Sequence, residues 1–139
     1  MTTFPKYIIK RLIPEDGVKL VGNDIQVTVN NVLATIPFHR MPDNFIKSIV
    51  VKVDNEVVAS AEKPELIGKT KLIVRGKAYP FDQIKGIEIG ELPPGESMIV
   101  SLPNAKSYKK GETHAFEVSM AYRPKKNDPL IVAFERKIN

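Results

Sequence analysis

Apolar and polar residues alternate with a period of two along most of this chain, the pattern of strands with one face buried. Ile25, Val27 and Val29 alternate with Gln26, Thr28 and Asn30. Val18-Lys19-Leu20-Val21 precedes them across Gly22-Asn23-Asp24, a triplet that tolerates positive φ, so residues 18–29 are predicted to form a hairpin. Residues 32–38 carry Val32, Ala34, Ile36 and Phe38 on one parity and read as the next strand, until Met41-Pro42-Asp43-Asn44 breaks the pattern. Ile49, Val51 and Val53 then alternate with Ser48, Val50 and Lys52, and Asp54-Asn55-Glu56 turns the chain into Val57-Val58 as a second hairpin.

Residues 62–70, with Pro64, Gly68 and several charges, read as a loop holding at most one helical turn. Leu72-Ile73-Val74 resumes a strand that Arg75-Gly76-Lys77 turns toward Tyr79. Residues 80–86 run from a proline suited to a helix start to a glycine suited to a helix end, with room for little more than one turn. After Ile87-Glu88-Ile89 and the link Gly90-Glu91-Leu92-Pro93-Pro94-Gly95, Met98, Val100 and Leu102 form another alternating run. Phe116, Val118, Met120 and Tyr122 share one face of a late strand, and Leu130, Val132 and Phe134 share one face of the last, across a charged turn at 124–129. About eight or nine strands, turns at 8–12-residue intervals and no helix beyond one turn predict an all-β fold. The architecture expected is a single β-sandwich domain over 1–139 in the style of immunoglobulin and fibronectin type III domains, with 1–11 as an N-terminal arm. Its inner face should include Ile25, Val27, Val51, Val53, Val100, Phe116, Val118 and Val132, and helix should stay below about a fifth of the chain.

Composition narrows the chemistry more than the fold. At 139 residues the chain can bury enough surface to fold without a metal or a disulfide, and it has no cysteine for either a disulfide or a thiolate site. No apolar run approaches the roughly 18–20 residues of a membrane span, and none near the start reads as a secretory leader, so a cytoplasmic protein is expected. The two histidines, His39 and His114, stand in unlike contexts, and nucleophile elbows, zinc-protease helices and phosphate-cradling glycine loops are all missing. These features argue against a self-contained enzyme of a common class.

The net charge of +5 is uneven, with eight Lys/Arg against four Asp/Glu in residues 105–139. Tyr108-Lys109-Lys110 and Tyr122-Arg123-Pro124-Lys125-Lys126 are the candidates for aromatics that stack between basic residues, and both read better as solvated turns than as a nucleic-acid surface. The segment Ile36-Pro37-Phe38-His39-Arg40-Met41-Pro42 is the best candidate site. Two prolines stiffen it, and Phe38, His39, Arg40 and Met41 could form a rim reaching a partner or substrate. The competing reading packs Phe38 inward and leaves His39 and Arg40 in water. His114 shares parity with Phe116 and reads as a satisfied histidine at the edge of the core, and Asp82, Glu88, Glu91 and Glu96 read as a solvated acidic edge. No catalytic residue and no metal ligand is assigned to this chain.

The order of several segments resembles one family. Ile13-Pro14-Glu15-Asp16-Gly17 is followed by the proline–aromatic–Arg segment Ile36-Pro37-Phe38-His39-Arg40, by Val53-Asp54-Asn55-Glu56-Val57-Val58 and by Gly76-Lys77-Ala78-Tyr79 entering a helical turn. Leu92-Pro93-Pro94-Gly95 and Met120-Ala121-Tyr122-Arg123-Pro124 complete the series. Over roughly residues 12–124 the chain resembles the small β subunit of bacterial C-glycoside deglycosidases. It departs from the family at Phe38-His39-Arg40-Met41, where aromatic-Tyr-Arg-Gly is more usual, so no docking contact of that tyrosine or glycine carries over to this chain. The resemblance implies a hetero-oligomer with a barrel-shaped catalytic α subunit, which carries the acid–base residues and a divalent metal, expected to be Mn. Together the two proteins cleave the carbon–carbon bond between a 3-oxo sugar and a flavonoid-like aglycone. The sugar ketone acidifies the neighbouring carbon, a base removes its proton, and elimination follows protonation of the aglycone carbon. This chain would hold no cofactor and would meet the C-glycoside only through the complex.

Two other readings stand beside it. One is a stand-alone carbohydrate- or protein-binding module on the same sandwich, for which the absence of tryptophan and the presence of only four tyrosines offer few stacking surfaces. The other is a basic nucleic-acid-binding domain, whose binding would fall steeply with salt.

Overall fold

The computed structural model describes residues 2–40, 48–60, 62–120 and 130–139. Its strands are β1 (Thr2–Thr3), β2 (Val18–Val21), β3 (Asp24–Asn30), β4 (Ile36–Pro37), β5 (Val50–Val53), β6 (Glu56–Ala59), β7 (Lys71–Val74), β8 (Lys77–Pro80), β9 (Glu91–Leu92), β10 (Ser97–Pro103), β11 (Thr113–Met120) and β12 (Leu130–Lys137). Turn chemistry sets three of the hairpins. Gly22 at φ 60° opens the two-residue β2–β3 loop, while Asp54-Asn55 (φ 51° and 69°) and Arg75-Gly76 (φ 52° and 78°) supply the paired positive φ of the β5–β6 and β7–β8 turns.

The strands form two five-stranded sheets, ordered β1-β12-β11-β5-β6 and β2-β3-β10-β7-β8, and a small β4-β9 pair. Within the first, β12-β11-β5-β6 follows the G-F-C-C′ order of immunoglobulin sandwiches; within the second, β2-β3-β10-β7 follows A-B-E-D. Strand β1 adds to β12 in parallel, and every other pairing is antiparallel. The fold is all-β, mostly strand with few and short helices. Residues of both sheets meet in one core, Ile25, Val27 and Leu102 from one sheet and Val51, Val53, Phe116, Val132 and Phe134 from the other. Phe116 and Phe134 stack with ring centroids 5.3 Å apart. Six of the eight expected inner-face residues are buried in this core, and Val100 and Val118 pack half-buried against it.

Two features close the sandwich at its side. The chain continues past β12 so that Ile138 is fully buried and Asn139 exchanges backbone hydrogen bonds with Val18 and Leu20 of β2, 2.9 Å each. The edge of one sheet is thereby tied to the end of the other. At the start, where residues 1–11 were expected to be an arm, a helix over Lys6–Leu12 buries Ile9 and Leu12 in the core. At seven residues it makes about two turns where at most one was expected. Its signal is the apolar spacing Ile9, Leu12, Ile13 with Lys10 and Arg11 in the last turn, short enough to be overlooked beside Pro5 and Pro14.

The expected strand over 32–38 is corrected. Asn31 is buried and its side-chain amide donates to the carbonyls of Ala34 and Leu92, both at 2.8 Å, which pulls the chain out of extension. Only Ile36–Pro37 pairs as a strand, and Phe38–Arg40 coils into a 3₁₀ turn. The helical fragment expected over 80–86 is also redistributed: Phe81–Gln83 forms a 3₁₀ turn, and the helical turn Gly86–Ile89 starts where the fragment was to end. These pieces cover a second apolar cluster of Phe38, Ile67, Leu72, Val74, Tyr79, Phe81, Ile89 and Leu92. Ile49 and Val100 touch both clusters and make them continuous. Among the described residues no helix is long and apolar enough to cross a membrane.

Candidate functional site

The candidate segment 36–40 is built into a cap over the second cluster. Ile36 and Pro37 face Leu92 and Glu91 across the β4–β9 pair, and the His39 N–H donates to the Gly90 carbonyl at 3.2 Å. Phe38 is buried, so the aromatic residue of the segment anchors the cap from inside. Gly86 lies directly on it: a Cβ at position 86 would stand 2.0 Å from the Phe38 carbonyl oxygen, so only glycine allows this approach. Gly90, at φ 73°, then turns the chain from the Gly86–Ile89 helical turn into β9.

One arginine ties the cap to the sheet. Arg75, in the β7–β8 turn, donates to the carbonyls of Ile89 (3.0 Å) and Glu91 and pairs with the Glu96 carboxylate at 2.9 Å. Its planar fork serves three acceptors that lie apart in sequence from two separate nitrogens, a spacing that the single nitrogen of an ammonium does not reproduce.

Outside the cap, His39 and Arg40 are exposed. The His39 Nε2 stands 4.0 Å from Glu91 Oε1, an ion-pair distance but too long for the hydrogen bond that a catalytic base and its orienting carboxylate would share. Met41 lies outside the described residues, as do Pro42, Asp43 and Asn44 and the basic residues Arg123, Lys125 and Lys126. The exposed apolar side chain of the described cap is Ile87, 77% accessible on the Gly86–Ile89 turn. The sequence pattern hides it, because Ile87-Glu88-Ile89 reads as strand alternation and gives Ile87 and Ile89 the same face. In a helical turn they diverge, and only Ile89 is buried.

The acidic residues of this region do not converge. Asp82, Glu88 and Glu91 are exposed, and Glu96 is committed to Arg75.

At the other end of the sandwich, His114 occupies a more organised setting. Its side chain is 12% exposed, with Nδ1 2.6 Å from Asp54 Oδ2 and Nε2 3.1 Å from Glu112 Oε1. The Tyr108 ring lies 4.0 Å away, centroid to centroid. Asp54 also accepts the Ala115 N–H at 3.0 Å, and Glu112 accepts the Lys109 N–H at 2.9 Å. The Ala115 N–H and the imidazole hold the Asp54 carboxyl below its ordinary range, and the Lys109 N–H and the imidazole do the same for Glu112. Burial pulls the His114 imidazole down, but the two carboxylates outweigh it and raise it above its ordinary value. The sequence reading of a satisfied histidine at the core edge agrees with this environment. Of its two carboxylate partners, Glu112 lies two residues upstream, where the sequence can signal it, and Asp54 lies 60 residues away, where it cannot.

Among the described residues no group of three or more His, Asp or Glu side chains is arranged to hold a metal ion. In the His114 cluster both imidazole nitrogens already face carboxylates. A shallow groove of about 580 Å³ beside the N-terminal helix is lined by the cations Lys6, Lys10 and Arg136 and by the carboxylates Glu117 and Glu135. Neither a protein-family model nor a curated protein sequence matches this chain.

Proposed function

We propose that this chain is the accessory β subunit of a C-glycoside deglycosidase made of two kinds of subunit, working in the cytoplasm beside a barrel-shaped α subunit that supplies the Mn and the acid–base residues. One observation carries the reading. Three of the stretches on which the resemblance rests, 36–40, 76–79 and 92–95, lie far apart in sequence, yet Phe38, Tyr79 and Leu92 share one apolar cluster. Segments that build one cap have a common reason to keep their order and spacing.

On this reading the chain contributes surface and not reaction chemistry. The cap presents His39, Arg40 and Ile87 outward from a base held by Gly86, Gly90 and Arg75, a rigid mount that lowers the entropy lost on docking. The substrate's 3-oxo group makes the adjacent sugar carbon acidic, and the α subunit's base and metal act there. The carbohydrate-module alternative has less support: among the described aromatic residues only Tyr7, 70% exposed, stands mainly in water to offer a stacking face.

The test is reconstitution. This chain is mixed with the barrel subunit of such an enzyme and Mn, and cleavage of a 3-oxo C-glucoside is followed by release of the aglycone. Cleavage is expected with the mixture and not with this chain alone. A mixture in which the two proteins neither co-elute nor cleave faster than the barrel subunit by itself overturns the proposal.

A further inference from the structure

The end of the sandwich away from the cap is held by a different device. The cap follows Asn30, which pairs with Ser97 at the start of β10, whereas the connection 104–112 leaves the far end of the same strand. That connection crosses to β11 and must be fixed against the β5–β6 turn. Asn104 shapes it from within, donating to the Tyr108 carbonyl and accepting the Tyr108 N–H, both at 2.8 Å. Lys106 pairs with Glu56 at 2.9 Å, and the Tyr108 ring rests on His114.

His114 sits between the two pieces. On one side is Asp54 of the turn, and on the other is Glu112 of the connection. A neutral imidazole carries one N–H and one lone pair, so it can donate to only one of two carboxylates and must aim its lone pair at the other. The imidazolium donates to both. The bridge is therefore complete only in the protonated state. The remaining groups around it are Tyr108 and Lys109 of the connection, Arg136 opposite on β12, and the Glu56–Lys106 pair one layer out. Arg136 is turned onto the carbonyls of Ile13 (2.7 Å) and Pro14 (3.3 Å), so it leaves both carboxylates to the imidazole.

We infer that His114 is a proton-operated latch, which clasps the 104–112 connection to the β5–β6 turn when protonated and lets Glu112 go when neutral. The release is local. Gly111 and Glu112 stay tied to Ile138 by two backbone hydrogen bonds of 2.8 Å, so opening parts the Glu112 carboxylate from the imidazole without unfolding β11, and the Lys109 N–H that this carboxylate accepts reports the change. Because the imidazole titrates above its ordinary value near 6.5, the latch is closed in mildly acidic solution and opens as the pH rises through that higher midpoint.

The test is a pH titration of the intact chain by NMR, following the imidazole nitrogens and the Lys109 and Ala115 amides. The His114 signals are assigned by their loss in His114→Gln, or, should that variant not fold, in His39→Gln, which leaves His114 as the one imidazole. The expected result is two ring N–H groups at low pH, a His114 midpoint above 6.5, and a step in the Lys109 amide shift at the same midpoint. Glu112→Gln should lower the midpoint and abolish the Lys109 step while keeping the Ala115 step, which reports Asp54. A midpoint at or below 6.5, a Lys109 amide that ignores it, or a midpoint unmoved by Glu112→Gln would overturn the inference.

Discussion

Gly86 shows how much one missing methyl group can decide. Its φ is not in the left-handed region, so the demand for glycine is one of space: a Cβ would meet the Phe38 carbonyl at 2.0 Å. Backbone on one side cannot yield as a flexible side chain can. Gly86→Ala should therefore destabilise the protein by about 1–3 kcal/mol, the usual cost of overpacking, in urea denaturation. An alanine variant as stable as the parent would mean that the cap slides off Phe38 at no cost. The His114 cluster makes a second prediction at this scale. Asp54 and Glu112 are lowered, so their contribution is present above their ordinary values of 3.8 and 4.5 and is lost as the pH falls. His114 is raised, so its contribution is full below 6.5 and is lost as the pH rises through the higher folded-state value. Together they stabilise most between about pH 4.5 and 6.5, and the difference in urea midpoint between the parent and His114→Gln should peak there. A difference that does not vary with pH would show that these groups are uncoupled from folding.

At the scale of elements, the cap depends on Arg75 more than on strand pairing, since β4 and β9 contribute only two residues each. Arg75 is half-exposed, which moderates its worth, so Arg75→Ala should cost about 1 kcal/mol. Arg75→Lys should recover little of it, because lysine has the same left-handed backbone to adopt but no fork for the carbonyls of Ile89 and Glu91. Hydrogen exchange at the His39 amide, which bonds to Gly90, reads the cap directly. Equal protection in parent and alanine variant would remove Arg75 from its role as a tie.

For the whole molecule, closure at the side of the sandwich depends on Ile138 and Asn139 as well as on the N-terminal helix. Ile138 is fully buried and Asn139 bridges to β2, so Ile138→Ala should cost about 2–5 kcal/mol and lower the denaturation midpoint accordingly. A change below about 0.5 kcal/mol would show that this end is frayed in solution. Docking also belongs to this scale. Arg40 is exposed on a fixed cap, and a central arginine in an interface can carry about 2 kcal/mol. Arg40→Ala should then weaken association with the α subunit about thirtyfold, at roughly 1.4 kcal/mol per tenfold, with the isolated fold unchanged. Lys109→Ala/Lys110→Ala and Lys125→Ala/Lys126→Ala should each change affinity far less, exposed charges acting mainly on association rate. Titration of the variants against the α subunit decides, and a larger loss in either lysine pair moves the interface away from the cap.

The strands were legible from the chain because alternation in burial is a local property: Val51 and Val53, or Phe116 and Val132, need only a neighbouring sheet, whichever it is, to be driven inward. The β2–β3, β5–β6 and β7–β8 turns were legible for a similar reason, since Gly22, Asp54-Asn55 and Arg75-Gly76 carry their preference for positive φ, or accept its modest strain, within two residues. The rest depended on which distant pieces meet. Asn31 turns a plausible strand into a loop because Leu92, 61 residues on, offers its carbonyl. The exposure of Ile87 follows from a helical turn that exists only where Gly86 can lie on Phe38. His114 and Asp54 stand 60 residues apart and touch only because β11 pairs with β5 in the register that sets Phe116 against Val53. Periodicity records how each residue divides its own surface between water and protein. It carries no term for the partner, and the cap, the latch and the closed side of the sandwich are all made of partners.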